Sequence, residues 1–136
     1  MRGVEIPGGI EGQLRRREFA AVLGEFRRTA VLVPEVDGGW WAAEWGGVRW
    51  ICAFSDEAAL ARFAIARGEG AGEWAYQRVL GARLLDVAVP ALGVPGGVAL
   101  DAGSPDGVLF PPVAGIVPEA VAVDMGAYAS EGTGGA

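Results

Sequence analysis

The chain has 136 residues and a mass of 14.0 kDa, enough for one domain that buries roughly two thirds of its unfolded surface without disulfides or metal. It contains no histidine and a single cysteine, which excludes Ser-His-Asp and Cys-His catalytic groups, an internal disulfide, and metal sites built from imidazoles or cysteine clusters. Its net charge of −6 at pH 7 repels a phosphate backbone, so we expect no nucleic-acid partner.

The amino-terminal residues carry no recognisable sorting signal. Residues 1–12 lack the apolar centre of a signal peptide, and no stretch of the chain reaches the roughly 18 apolar residues of a membrane span. We therefore expect a cytoplasmic protein with no membrane partner. All 11 basic residues are arginine, a bias typical of a GC-rich bacterial genome. Residues 1–10 include Pro7-Gly8-Gly9 and are predicted to be a flexible leader to a domain at 11–123.

An amphipathic helix is predicted over residues 13–29. Apolar side chains recur there at helical spacing, namely Leu14, Phe19, Val22, Leu23 and Phe26. The basic residues cluster near the two ends of the helix, at Arg15, Arg16, Arg17, Arg27 and Arg28. This pattern is typical of a solvated helix face, with an acidic partner as the alternative.

A β-meander is predicted next, with strands at residues 30–33, 40–45 and 48–54. Asp37-Gly38-Gly39 separates the first two strands, and a two-residue turn at Gly46-Gly47 joins the last two. That turn sets a register in which Trp45 lies opposite Val48, Glu44 opposite Arg49, Ala43 opposite Trp50 and Trp41 opposite Cys52.

The alternation of side chains assigns the residues of this hairpin to two faces. One face, predicted to be the core, holds Trp41, Ala43, Trp45, Val48, Trp50, Cys52 and Phe54. The other face holds Trp40, Ala42, Ile51, Ala53 and the Glu44–Arg49 pair. Cys52 is thereby predicted to be a core side chain rather than a reactive thiol. For Trp40 two hypotheses stay open: it packs under a helix, or it belongs to an apolar patch that docks a partner.

The rest of the chain predicts a second helix, a strand, a third helix and a last hairpin. The second helix begins at Asp56 and ends near Gly68; residues 74–79 form a strand, residues 82–89 form a short helix stopped by Pro90, and residues 98–100 and 108–110 form the hairpin. The fold class is therefore α/β, in the mixed α+β sense. It is a single domain with a mixed, mostly antiparallel sheet, two to three helices packed on it, and the order α-β-β-β-α-β-α-β-β. Residues 124–136 are predicted to be a disordered glycine-rich tail.

Three segments together resemble a known family: VLVP at 31–34, VRWICAFSDEAAL at 48–60 and GVALDAGSP at 97–105. They are similar to the SseB N-terminal-domain family, named for an enhanced serine sensitivity protein, over about residues 11–112. The chain departs from the family pattern at Asp101-Ala102-Gly103, where Asn-Pro-Gly is usual, and at Phe54, where a threonine usually precedes the helix serine. The resemblance implies a small α/β domain and no catalytic residues.

The chain is rich in tryptophan near residues 40–50 and lacks side chains that could act together in catalysis. This combination favours a non-enzymatic protein-interaction or adaptor module of the SseB type. We assign no catalytic residue, cofactor or metal ligand, and the partner is an unidentified protein. The candidate interaction surface consists of Trp40, Glu44, Arg49, Ile51 and Ser55. A symmetric homodimer is an alternative way to cover an exposed apolar sheet face.

Two other functions are kept open. A small-molecule-binding protein or enzyme is the first, with a pocket between the hairpin and residues 74–76 and with Glu44, Arg49 and Asp101 as its polar groups. An acidic immunity-type protein that neutralises a basic toxin is the second. The oxygen-bearing residues Asp101, Ser104 and Asp106 are predicted to form a turn rather than a cation site, because the spacing of a calcium loop is absent.

Overall fold

The computed structural model describes residues 8–70 and 74–124. A helix comes first in this part of the chain, and strands and two further helices follow it. In chain order the elements are α1 (Gly8–Arg27), β1 (Ala30–Val36), β2 (Gly39–Trp40), β3 (Ala42–Trp45), β4 (Val48–Ala53), α2 (Glu57–Ala66), β5 (Tyr76–Leu80), α3, β6 (Gly96–Leu100) and β7 (Val108–Phe110). Helix α3 joins an α-helical turn at Gly81–Arg83, a π-helical turn at Leu84–Ala88 and a final α-helical turn at Val89–Ala91. A 3₁₀ turn, Glu119–Val121, follows β7.

The mixed α+β class, the single domain and the predicted order of elements are confirmed. The predicted second strand is divided at Trp41 into β2 and β3. Helix α1 begins at Gly8, so residues 8–10, predicted as leader, belong to the helix. Residues 1–7 and 125–136, which hold the rest of the predicted leader and nearly all of the predicted tail, lie outside the described residues.

The strands form two sheets that are joined by backbone hydrogen bonds at two places. The first sheet has the order β2-β1-β5 and the second β3-β4-β6-β7. Leu32 and Phe54 exchange two backbone hydrogen bonds of 2.8 Å, which connect β1 to the residue after β4. The Trp41 N–H donates to the Pro34 carbonyl at 2.9 Å, while the Trp41 carbonyl accepts from Cys52 N–H at 3.0 Å. Trp41 therefore marks where the chain passes from one sheet to the other.

The predicted hairpin register is confirmed, with Glu44 opposite Arg49 and Trp45 opposite Val48. The last hairpin, β6 with β7, is also antiparallel as predicted. Strands β4 and β6 pair in parallel, from Arg49 opposite Gly96 to Ala53 opposite Leu100. Parallel strands need a long crossover, and here α2, β5 and α3 supply it.

The prediction that one hairpin face forms the core is wrong, because β4 is buried on both faces. The largest cluster of buried side chains lies on the face of Ile51 and Ala53, where α1 and α3 pack. Helix α2 covers Cys52 and Phe54 on the opposite face. A strand between β3 and β6 with helices on both sides has no solvent face. Trp45, predicted to be core, is 67% exposed at the end of β3.

Helix α1 packs on the sheet only through its second half. Phe26 is buried, with its ring stacked on Phe110 at 4.4 Å between centroids, and Phe19 and Leu23 are half-buried against the same cluster. Leu14, predicted to lie on the packing stripe, is exposed. In the described part of the chain, no helix has the length and apolar character needed to cross a bilayer.

Helix α2 begins and ends as predicted, whereas α3 does not. The Asp56 carboxylate caps α2 by accepting from Ala59 N–H at 2.8 Å, and Gly68 takes a φ of +78° after its last turn. Pro90 was expected to stop the third helix, but α3 continues through it. Val89 N–H donates to the Leu84 carbonyl, five residues back. Pro90 lies in the first α-helical turn after this π-helical turn, and the missing N–H of a proline is tolerated at that position.

Candidate functional site

An open groove of about 580 Å³ lies between the Trp40 side of the sheets, strand β5 and helix α3. We call it the β5–α3 groove, and its lining residues are Trp40, Ala42, Ile51, Gln77, Arg78, Val79, Leu80, Arg83, Val87, Ala88, Ala91 and Leu92. Apolar side chains dominate this lining. The volume falls in the range of roughly 300–1,000 Å³ that is typical of ligand pockets.

Trp40 occupies the groove because of where β2 ends. It pairs with Glu35 of β1, so its ring lies over the same face as Gln77, which pairs with Val33. The indole Nε1–H donates to Gln77 Oε1 at 3.2 Å. Trp40 is half-buried against the largest cluster of buried side chains and also lines the open groove, so it is neither fully core nor fully exposed. The hypothesis that it docks a partner stays a prediction.

Helix α3 forms the opposite wall and is held by side chains on its other face. Leu84, Leu85 and Val89 are buried in the main core, whereas Val87 is 52% exposed toward the groove. The π-helical turn Leu84–Ala88 supplies Val87 to that wall. Such turns are uncommon and occur often at functional sites.

An ion pair ties α3 to α1. The Arg27 guanidinium donates to both carboxylate oxygens of Asp86, at 3.1 and 2.7 Å. The hydrogen bonds from Arg27 hold the pKa of the Asp86 carboxyl below its ordinary value, and the carboxylate in turn raises the pKa of Arg27. This bidentate pair fixes the helix that carries the groove wall.

Strand β5 supplies the third side of the groove. Val79 belongs to the largest cluster of buried side chains, whereas Tyr76 packs against the cluster beneath α2. Because side chains alternate along a strand, the Arg78 side chain lies on the same face as Tyr76, toward α2. Arg78 therefore lines the groove through its backbone. Within residues 8–70 and 74–124, neither Arg78 nor Arg83 takes part in a salt bridge with a carboxylate.

The structure brings together two of the five predicted surface residues. Trp40 and Ile51 both line the groove, although Ile51 is only 2% exposed and is mainly a core residue. Glu44 and Arg49 pair with each other, with Arg49 Nε donating to Glu44 Oε2 at 2.8 Å, and neither lines the groove. Ser55 lies elsewhere, at the start of α2.

Asp101 has a structural role, because its carboxylate binds Ser55, which lies in the segment between β4 and α2. Its carboxylate accepts from the Ser55 N–H and from the Ser55 hydroxyl, each at 2.8 Å, and its own N–H donates to the Ala53 carbonyl at 2.8 Å. The parallel pairing of β4 with β6 makes these contacts, since both strands end at the same edge. The following loop is a turn, in which Asp106 N–H donates to Ser104 Oγ at 3.1 Å.

The structure does not bring Glu44, Arg49 and Asp101 together beside residues 74–76: Asp101 bonds to Ser55 after β4, and Glu44 pairs with Arg49 near the hairpin turn. Trp74 instead stacks on Trp41, with centroids 5.0 Å apart and planes within 8° of parallel. The Arg67 guanidinium lies 4.4 Å from the centre of the Trp41 ring. These contacts fill the space between the hairpin and this segment.

The single thiol and the acidic side chains make no reactive or metal-binding cluster in the described residues. Cys52 is buried beneath α2, and burial raises the pKa of its thiol to about 11. In the described ranges, no three or more carboxylate or thiol side chains lie together in an arrangement that could hold a metal ion. Three of the five arginines of the α1 clusters make ion pairs, with Glu11, Glu25 and Asp86.

Sequence reasoning missed the groove residues of β5 and α3, above all Leu80, Arg83 and Val87. One signal was present: Leu84, Leu85 and Val89 define the buried stripe of α3, and Val87 falls off that stripe. An apolar residue outside the packing stripe of its own helix is exposed unless something else covers it.

Comparisons with protein-family models, with curated proteins and with solved structures give no match to this chain. The resemblance to the SseB N-terminal-domain family therefore stays a prediction.

Proposed function

We propose that this domain is a cytoplasmic protein-interaction module without catalytic activity, and that the β5–α3 groove receives a segment of its partner. The observation that carries the proposal is the groove itself, an open and mainly apolar surface that includes the half-buried Trp40 and the exposed Val87. Large aromatic side chains surrounded by aliphatic ones are typical of the residues that dominate the energy of protein interfaces.

The polar side chains of the lining support binding rather than catalysis. Gln77 and Arg83 supply them, since Arg78 lines the groove through its backbone, so the lining offers no carboxylate base and no nucleophile. An arginine beside an apolar surface favours a partner that carries a negative charge.

A small apolar anion is the second candidate ligand, because the groove volume of about 580 Å³ suits a compact molecule held between Trp40 and Arg83. The immunity-type alternative is supported only by the net charge of −6, which no feature of the groove reinforces.

The test uses one substitution in the groove and one matched substitution outside it. Val87→Gln places a polar amide on the exposed wall, and Val22→Gln makes the same change on α1, where the valine is 40% exposed and does not line the groove. Both changes are expected to alter the free energy of unfolding by less than about 0.5 kcal/mol, as is usual for exposed positions. Trp40→Ala is less suitable because Trp40 also packs on the core.

The measurement is quantitative mass spectrometry of proteins captured from a lysate of the native host by each purified variant. A partner that Val22→Gln retains and Val87→Gln loses supports the proposal. Equal capture by both variants contradicts it. A metabolite that raises the melting temperature of the wild type and not of Val87→Gln identifies the groove as a small-molecule site instead.

A further inference from the structure

We propose that the partner segment binds as an added β-strand on the outer edge of β5, with apolar side chains entering the β5–α3 groove and acidic side chains facing Arg78. This inference rests on the proposed function, because it names how the groove holds its partner.

The hydrogen bonds of β5 show which of its backbone groups are already used. Glu35 N–H donates to the Ala75 carbonyl and Gly81 N–H to the Thr29 carbonyl, each at 2.9 Å. In an antiparallel ladder every second residue bonds to the partner strand. Residues 75, 77, 79 and 81 therefore face β1, and the backbone N–H and C=O groups of Tyr76 and Arg78 point away from it, as does the N–H of Leu80. The Leu80 carbonyl belongs to α3, because Leu80 is the N-cap of that helix.

The outer edge of β5 opens onto the groove. In the described part of the chain β5 pairs only with β1. Arg78 and Leu80 both line the groove, and Leu80 is 47% exposed. Helix α3 begins at Gly81, directly after the strand, and forms the far wall of the groove. A bare strand edge beside an apolar groove is the geometry that binds extended peptides by strand addition.

The side chains around the edge specify the chemistry of the added strand. Residues of a strand next to β5 alternate between the two sheet faces. On the groove face they meet Val79 of β5 and Val87 of the far wall, which favour apolar side chains. On the other face they meet Arg78, which also interacts with the Tyr76 hydroxyl, the hydrogen-bond donor to Glu57. The positive charge of Arg78 favours a carboxylate directly opposite. Arg83 on the far wall adds a second positive charge. The matching segment therefore alternates apolar and acidic residues.

A second copy of this chain is a poorer occupant of the same edge. Two β5 strands paired antiparallel about Arg78 would set the two Arg78 side chains directly opposite each other. Like charges at that position destabilise a strand pair. Charge complementarity therefore favours an acidic segment of another protein.

The experiment selects peptides from a displayed library of random 12-residue sequences against the full chain, and then compares two variants at one position. Arg78→Ala removes the charge, and Arg78→Pro removes the charge together with the outward N–H. Proline is tolerated on an edge strand where its missing N–H faces away from the ladder. Selected peptides should bind Arg78→Pro roughly tenfold or more weakly than Arg78→Ala, because one hydrogen bond is lost and the ring blocks the edge.

A second measurement needs no protein variant, in case Arg78→Pro fails to fold. Single N-methylation along a selected peptide should weaken binding to the wild type at every second residue, since only alternate amides of an added strand bond to β5. Replacing the acidic residues of that peptide by lysine should also abolish binding. Equal binding of the lysine peptide would overturn the assignment of an acidic segment.

The outcomes separate this inference from the proposed function. Peptides that Val87→Gln no longer binds, but that show no alternation on N-methylation and bind Arg78→Pro and Arg78→Ala equally, occupy the groove without strand addition and overturn only the inference. Recovery of no peptide that depends on Val87 overturns both. A wild-type dimer in sedimentation equilibrium that Arg78→Pro dissociates would show that a second copy occupies the edge.

Discussion

Gly81→Ala is expected to destabilise the domain, because Gly81 lies where β5 turns into α3 against the end of α1. A Cβ atom at this position would lie 2.1 Å from the Phe26 carbonyl oxygen and 2.8 Å from its carbonyl carbon. Both atoms belong to the backbone, so they cannot rotate away as the end of a flexible side chain would. Helix α1 or α3 must move instead.

The size of the effect follows from two opposing contributions. Forcing an extra methyl group into a packed site costs about 1–3 kcal/mol, and the contact with fixed backbone places this site at the upper end. The higher helix propensity of alanine offsets this cost by less than about 1 kcal/mol. We therefore expect a loss of about 2 kcal/mol, or a melting temperature lowered by roughly 6–8 °C for a domain of this size.

Urea unfolding followed by circular dichroism measures this loss, and Gly24→Ala is its control. At Gly24, within α1, the nearest obstacle is the Arg28 guanidinium at 3.2 Å, which is the flexible end of a side chain. That substitution should leave stability unchanged or raise it by up to about 1 kcal/mol. A Gly81→Ala variant as stable as the wild type would refute the argument, and so would an equal loss in Gly24→Ala.

Two further predictions concern titratable groups. Because burial raises the pKa of the Cys52 thiol to about 11, Cys52 should react with iodoacetamide at pH 8 only after unfolding in urea; rapid labelling of the native protein would contradict its core placement. The lowered pKa of Asp86 stabilises the fold at pH values above the unfolded pKa, and this contribution is lost as the pH falls through the folded value. The stability difference between wild type and Asp86→Asn should therefore stay under about 1 kcal/mol at pH 7, since the pair is partly exposed. It should close as the pH falls from the ordinary aspartate pKa of 3.8 through the lower folded value; a difference that acid leaves unchanged would contradict this assignment.

The features that sequence reasoning located correctly are set by neighbouring residues. Gly46-Gly47 fixes the hairpin register because a two-residue turn leaves one way to pair the flanking strands. Asp56 caps α2 because its carboxylate reaches an amide three residues on, and Gly68 ends the helix region because it adopts a positive φ without strain.

The features that it missed depend on residues far apart in the chain. Alternation along β4 correctly assigns its side chains to two faces. It does not show that helices cover both of these faces. That burial depends on the parallel pairing of β4 with β6, nearly 50 residues later in the chain. Pro90 ends a regular α-helix, but the π-helical turn before it changes the hydrogen bonds that the proline would otherwise break.

The groove is a consequence of the same long-range pairing. Its lining comes from three separate parts of the chain, near residues 40–51, 77–80 and 83–92, and each part alone looks like ordinary packing. Trp40 is an example. The sequence of its own strand does not show whether the Trp40 side chain is buried or exposed, because that depends on where α3 lies. The residue that indicates the groove is Val87, an apolar side chain that its own helix leaves exposed. Because exposed apolar surfaces are typical of binding sites, the proposed partner binding is tested at Val87.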